Sequence, residues 1–255
     1  PVADQSARDG DRVRLATAGA FADVDRGDVL SYSVTGLPAG LAIDTATGLI
    51  TGTLGPDASQ NGPFTITVTA ADGNGARVTD TFDLTSSNVA PLAMGDSVET
   101  SENSAVSGNA LINDNDGGND SDDLSVSQVG GLAANLDTAV AGNNGGTFNV
   151  SANGAYVFDP GADFDDLAVG QSRTTSVSYQ VSDGQGGFDT QTVTVVVTGA
   201  NDAPTVRQGT PDRAANDGDR VSIAAGEAFA DAEGDALFHK RFAIDQAQVR
   251  RVFSG

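Results

Sequence analysis

The chain has no cysteine and no tryptophan, a single histidine, and only 13 Lys and Arg against 35 Asp and Glu. Each shortage excludes something. Without cysteine there is no disulfide and no thiolate metal site. With His239 as the only histidine, histidine-based metal catalysis lacks a second ligand and most serine-nucleophile schemes lack a base. Aromatic residues make up 5% of the chain, so a cleft that stacks sugar rings is hard to build. Carboxylate pairs of the glycosidase kind abound, but the other groups that a catalytic site assembles are missing, and no enzymatic activity is expected. A net charge of -22 opposes nucleic acid, which needs clustered Lys and Arg, and opposes an anionic membrane surface. No apolar run reaches the roughly 18 residues of a membrane span. The sequence opens at Pro1 without the charged and apolar regions of a signal peptide. The expectation is a segment of a longer, exported bacterial chain, consistent with its Gly- and Asp-rich, Cys-free composition.

What the chain has in excess is carboxylate, and it is patterned. Phe21-Ala-Asp-Val-Asp-Arg-Gly-Asp-Val-Leu30 returns as Phe229-Ala-Asp-Ala-Glu-Gly-Asp-Ala-Leu237. A looser version, Asn113-Asp-Asn-Asp-Gly-Gly-Asn-Asp-Ser-Asp-Asp-Leu124, lies between them. Each runs from closely spaced acids into an apolar stretch. Acids so close repel one another, and a hard cation relieves the repulsion. Ca²⁺ takes six to eight oxygens from Asp, Asn and backbone carbonyls. A solvated acidic turn is the alternative for any one copy, and recurrence before the same kind of strand favours metal. The stretch from Asp114 to Ser125 has no Glu at its twelfth position and no flanking helices, so it is not an EF-hand.

Along the chain, short alternating runs and turn signals recur roughly every ten residues, the pattern of a β-sandwich. In residues 1–89 the strands are Asp28–Thr35, Leu41–Asp44, Leu49–Thr53, Phe64–Thr69 and Val78–Leu84. Thr45-Ala-Thr-Gly48 closes a hairpin and Asp72-Gly-Asn-Gly75 makes a turn. Residues 90–203 form a second unit, with strands at Leu124–Val126, Thr147–Ser151, Tyr156–Phe158, Ser176–Val181 and Thr190–Thr198. Asn153-Gly154 is a strong hairpin signal there, and Thr192–Thr198 is the most apolar strand and is expected to be central. Asp163-Phe-Asp-Asp166 is expected to be a plain acidic loop. Residues 204–255 begin a third unit, in which Asp217-Gly-Asp-Arg-Val221 repeats Asp9-Gly-Asp-Arg-Val13. It ends in an atypical basic tail and has too few strands to bury an inner face. The fold class expected is all-β: tandem Ig-like, cadherin-like Greek-key sandwiches, the third incomplete.

Residues 1–89 resemble the cadherin-like domains of the dystroglycan and bacterial Ig types. Asp23-Val-Asp25, Leu30-Ser-Tyr-Ser33, Gly36-Leu-Pro-Ala-Gly-Leu41, Thr47-Gly-Leu-Ile-Thr-Gly52 and Val68-Thr-Ala-Ala-Asp-Gly-Asn-Gly75 carry the likeness. Residues 90–203 resemble the VCBS and bacterial cadherin-like repeats of large secreted adhesins, through Asn113-Asp-Asn-Asp116, Ala152-Asn-Gly-Ala-Tyr156, Tyr179-Gln-Val-Ser-Asp-Gly184 and Gly199-Ala-Asn-Asp-Ala-Pro204. The resemblance implies Ca²⁺ that stiffens domains and their junctions. In Ig-like sandwiches the B–C and F–G loops share one end. Asp23, Asp25 and Asp28 should therefore meet Asp72 in the first unit, and Asp114, Asp116, Asp120 and Asp122 should meet Asp183 in the second. Asn88 in the incoming linker is a further candidate ligand. In the third, Asn201 and Asp202 should join Asp231, Glu233 and Asp235. The family's Glu-containing motif has only a faint counterpart, Glu102-Asn103, and the linker Asn88-Val-Ala-Pro91 is poor in carboxylates. One ion per unit is the expectation, with Kd about 10⁻⁴–10⁻³ M, as in extracellular modules.

The function expected is a calcium-binding structural and adhesion module of a large extracellular bacterial repeat protein. Its partners would be neighbouring repeats, a cell-surface glycan or protein receptor, or further copies of itself. The alternative is a non-catalytic accessory module, carbohydrate-binding or spacer, of a secreted enzyme.

Overall fold

The computed structural model describes residues 1–25, 27–117, 123–206 and 229–231. The first unit is built from β1 (Gln5–Arg8), β2 (Arg12–Ala16), β3 (Ser31–Thr35), β4 (Leu41–Ile43), β5 (Leu49–Thr53), β6 (Phe64–Ala71) and β7 (Arg77–Ser87), with one helical turn, α1 (Ala58–Asn61), before β6. These form a four-stranded sheet, β1-β7-β6-β3, and a three-stranded sheet, β2-β5-β4. Alternation decides which face is buried. In β6 Ile66, Val68 and Ala70 point inward, and Phe82 and Leu84 do so in β7. They meet Ile50 and Leu54 from the other side in one apolar cluster. The β4–β5 hairpin turns at Gly48, whose φ of +65° belongs to the left-handed region that glycine enters without a Cβ penalty.

The second unit repeats the plan with β8 (Asp96–Ser101), β9 (Val106–Asn109), β10 (Ser125–Val129), β11 (Ala139–Ala141), β12 (Thr147–Val150), β13 (Ala155–Asp159), β14 (Ser172–Ser182) and β15 (Phe188–Thr198). Its sheets run β10-β14-β15-β8 and β11-β12-β13-β9. The apolar strand β15 is internal, between β14 and β8. Val193, Val195 and Val197 from β15 pack with Phe148 and Phe158 from the facing sheet. The two Phe rings lie 4.7 Å apart by centroid, and Phe164 meets Phe158 edge-on at 6.2 Å. In both units the first strand pairs parallel with the last: Gln5 with Leu84 and Asp96 with Val193. Beyond the second unit, β16 (Thr205–Val206) pairs with β17 (Phe229–Ala230).

The segment around Asp163–Asp166 is more than a plain acidic loop. Phe164 is fully buried, Asp163 accepts the Gly146 amide at 2.7 Å, and Asp166 pairs with Arg173 at 2.6 Å. The Arg173 guanidinium lies 5.3 Å from the Phe164 ring centre. Periodicity missed this because the segment is irregular and only its single Phe joins the core cluster. Strands β1, β2, β8 and β11 and the helical turn α1 likewise exceed what the sequence patterns suggested; the strands are short or polar and are held by neighbours.

Truncating Phe158 should leave a cavity between the sheets of the second unit. Phe158→Ala should cost about 3–5 kcal/mol of that unit's stability. The measurement is denaturant unfolding followed by hydrogen exchange, with β6 and β7 amides of the first unit expected to keep their protection.

Candidate metal sites

In the first unit the loop between β2 and β3 carries Asp23, Asp25 and Asp28, and the β6–β7 turn carries Asp72 and Asn74. The sandwich brings the two loops to one end. One carboxylate oxygen from each of Asp23, Asp28 and Asp72 lies within 4.8 Å of the others. Among the described residues this is the one such set of three acidic or other metal-ligating side chains. Asn74 Nδ2 donates to Asp28 Oδ2 at 3.3 Å, tying the loops together. Asp72 Oδ1 accepts the amides of Asn74 and Ala76, both at 2.9 Å, which fixes its direction. Asp25 enters through its backbone: its amide donates to Asp23 Oδ1 at 2.8 Å.

In the second unit Asp183 is 3% exposed. Its Oδ1 accepts the amides of Gln185 and Gly187 at 2.7 and 3.0 Å, and its Oδ2 accepts Asn88 Nδ2 at 2.7 Å. The incoming linker is thus tied to the β14–β15 turn. Asn88 Oδ1 is buried with no hydrogen-bond partner. Asp116 is buried, and at the adjacent Gly117 a Cβ would lie 2.8 Å from the Ala90 carbonyl oxygen. Asp114 faces a different neighbourhood. Its Oδ1 accepts the Met94 amide at 2.7 Å, its Oδ2 is buried without a partner, and Asp96 and Asp189 lie near enough to repel it. Asp120 and Asp122 lie outside the described residues.

The Asp96–Asp114–Asp189 group was not legible in the sequence. It surrounds the buried Tyr179 hydroxyl, which lies 3.0 Å from the Met94 and Ala110 carbonyls and 3.1 Å from Asp96 Oδ2. Burial raises the Asp96 and Asp114 carboxyls above their ordinary range, and for Asp114 repulsion from Asp96 and Asp189 adds to it. Burial and the same three acids push the Tyr179 phenol far up.

At the opposite end of the second unit, Glu102 is 2% exposed. Its amide donates to Thr198 O at 2.9 Å. Its Oε1 accepts the Ala200 amide at 2.6 Å, while Oε2 is buried with no partner. The faint Glu102-Asn103 signal therefore marks a strongly placed carboxylate at the exit of the chain, beside Asn201 and Asp202. In the β16–β17 pair Thr205 stands opposite Ala230, the residue before Asp231. Glu233 and Asp235 lie outside the described residues.

These donors suit a hard cation. Asn88 Oδ1, Asp114 Oδ2 and Glu102 Oε2 are oxygens withdrawn from water and left without a hydrogen bond. Such groups are costly unless something compensates them, and carboxylate and amide oxygens are the ligands that a hard cation such as Ca²⁺ takes.

Comparison with known proteins follows the same division. Residues 1–87 match the family described as "Putative Ig domain", and residues 88–199 match the bacterial cadherin-like domain. Together the two matches span residues 1–199. It is 35% identical over 120 residues to a protein named calcium-binding lectin RapA2 from Rhizobium johnstonii, a match covering 44% of this chain and 48% of that protein. The chain thus spans about half the length of that curated relative. Among solved structures, Drosophila N-cadherin EC1-3 aligns at TM-score 0.32 and 16% identity, over 69% of this chain and 57% of that one. An endo-fucoidan hydrolase of glycoside hydrolase family 107 aligns at TM-score 0.29 and 15% identity, over 78% of this chain and 27% of that one. Structural likenesses of this degree carry no argument about function.

The raised Asp96 and Asp114 carboxyls set the sign of a pH effect. Their folded-state pKa lies above the unfolded value, so they favour the folded state fully at pH values below the unfolded carboxylate pKa. That contribution is lost as pH rises through the folded pKa. With EGTA present, the second unit should therefore gain stability as pH falls from neutrality towards the carboxylate range. Asp114→Asn should raise its Tm at pH 7 and flatten the profile, as thermal unfolding across pH would show.

Proposed function

We propose that this chain is a calcium-binding structural and adhesion module of an extracellular bacterial repeat protein. The observation that carries the reading is the convergence of Asp23, Asp28 and Asp72 from two loops distant in sequence. The buried, partnerless oxygens of Asn88 and Glu102, at the entry to and the exit from the second unit, support it further. In the first unit Asp23, Asp28 and Asp72 are the ligands and Asn74 orients them. In the second, Asn88, Asp116 and Asp183 form the entry site, and Asp114 offers its bare Oδ2 in the separate group with Asp96 and Asp189. At the exit, Glu102 joins Asn201, Asp202 and Asp231.

The mechanism is linkage. An ion that binds only the folded arrangement stabilises it, and one held by a linker residue and a loop restrains the angle between neighbours. At a Ca²⁺ concentration ten times Kd, each site should contribute roughly 1.4 kcal/mol. The role is non-catalytic. The partners are neighbouring repeats of the same chain, with a cell-surface glycan or protein receptor, or another copy, at its exposed loops. The relative named as a calcium-binding lectin favours a glycan among these.

Thermal unfolding in millimolar Ca²⁺, in excess EGTA and in Mg²⁺ tests the metal reading. Ca²⁺ alone should raise Tm by several degrees, and Asp23→Ala should remove the share of the first unit. Superimposable curves in Ca²⁺ and EGTA would sink it. For the glycan reading, binding to a panel of acidic and neutral bacterial polysaccharides should appear in Ca²⁺ and vanish in EGTA.

A further inference from the structure

The first unit carries a cavity that none of the candidate metal sites uses. It measures about 390 Å³, within the roughly 300–1,000 Å³ of small-molecule sites. Pro38 and Ala39 reach it from the β3–β4 turn, and Pro56, Asp57, Asn61 and Phe64 from the β5–β6 connection that contains α1. Pro38, Pro56, Ala58 and the Phe64 ring give it an apolar lining. Two side chains add polarity. Asp57 Oδ1 accepts Gln60 Nε2 at 3.0 Å, and Asn61 Nδ2 donates to Asp57 O at 3.0 Å. Those bonds leave Asp57 Oδ2 and Asn61 Oδ1 open to an incoming donor. No Lys or Arg is among the described lining residues. Strand β6 runs from Phe64 at this cavity to Ala71, next to Asp72. The cavity and the Asp23–Asp28–Asp72 group therefore lie at opposite ends of the sandwich.

This lining selects its ligand. An apolar wall with one aromatic ring takes a flat apolar face, acceptor oxygens beside it take hydroxyl donors, and a carboxylate with no cation beside it repels an acidic group. We propose that the cavity holds a terminal sugar ring of a neutral glycan, its C–H face on Phe64 and its hydroxyls donating to Asp57 and Asn61. This rests on the glycan reading above and gives it a place. A chain poor in aromatics can build such a site because Pro38 and Pro56 supply the rest of the apolar wall. Dependence on Ca²⁺ follows from connection rather than contact. Ser59, in α1, donates its amide to Asp9 Oδ1 at 2.8 Å, and the Ser86 hydroxyl donates to the same oxygen at 2.6 Å. Ser86 lies two residues before Asn88, so an ion on Asn88 steadies the wall of the cavity without touching the sugar.

The test is titration of the full chain in Ca²⁺ with glucose, galactose, mannose and N-acetylglucosamine, singly, followed by amide chemical shifts. At least one of these sugars should move the amides of Asp57, Asn61 and Phe64 and leave those of Asp23, Asp28 and Asp72 in place. At Gly55, which lines the cavity, a Cβ would meet nothing within 4 Å. Gly55→Leu should therefore fill the cavity, keep the parent Tm and abolish the shifts. Asn61→Ala, at an exposed position, should weaken binding about tenfold. Sugar-induced shifts at the acidic loops or in the second unit, or full binding by both variants, overturn the proposal while the glycan reading stands. So does binding of an acidic polysaccharide with none of the four sugars bound. A chain that binds no saccharide overturns both and leaves the calcium reading in place.

Discussion

The structure depends on how carboxylates are satisfied at the ends of the sandwiches. Apolar side chains hold each pair of sheets together, but they do not determine what happens where strands stop and the chain turns or leaves. Those places are filled with Asp and Glu, several of them withdrawn from water. A buried carboxylate is tolerated only with donors or a cation beside it. Asp183 has two backbone amides and the Asn88 side chain, and Asp9 has one amide and two hydroxyls. Glu102 has one amide. The graded supply of donors, rather than the count of acids, sets how much compensation each buried carboxylate still needs.

The same constraint links the two units to their connections. Asn88 belongs to the linker, yet its side chain bonds the β14–β15 turn of the unit that follows. Leu92 and Asn115 exchange backbone hydrogen bonds at 2.8 and 3.1 Å, and Ala93 and Met94 donate to Asp189 and Asp114. The acidic loop therefore holds the incoming chain. An ion added among these oxygens would act on the connection as well as on the domain.

Much of this was legible in the residues. Alternation in Phe64–Thr69 and Thr190–Thr198 located the inner strands, because the side-chain period of a strand and a one-sided core leave one register. The pairing of the Asp23–Asp28 loop with Asp72 was legible too, because loops at one end of an Ig-like sandwich come from fixed strand connections. Other features were not. Asp96 and Asp189 are ordinary acids in sequence, and they become a group with Asp114 only because Tyr179 is buried beneath them. Phe164 looked like part of a loop, and its burial follows from packing against Phe158 in the core of the second unit, not from any local period.

The sequence by itself determined the all-β class, the turns and the dense carboxylate at particular loops, since strand periodicity, glycine and charge act locally. Tertiary structure alone decided which of those carboxylates have donors. Ser59 and Ser86 are 27 residues apart, and only the fold closes both onto Asp9. Hydrogen-bond satisfaction is a property of atoms within about 3 Å of one another. Residues distant along the chain reach that range only when the sheets have packed.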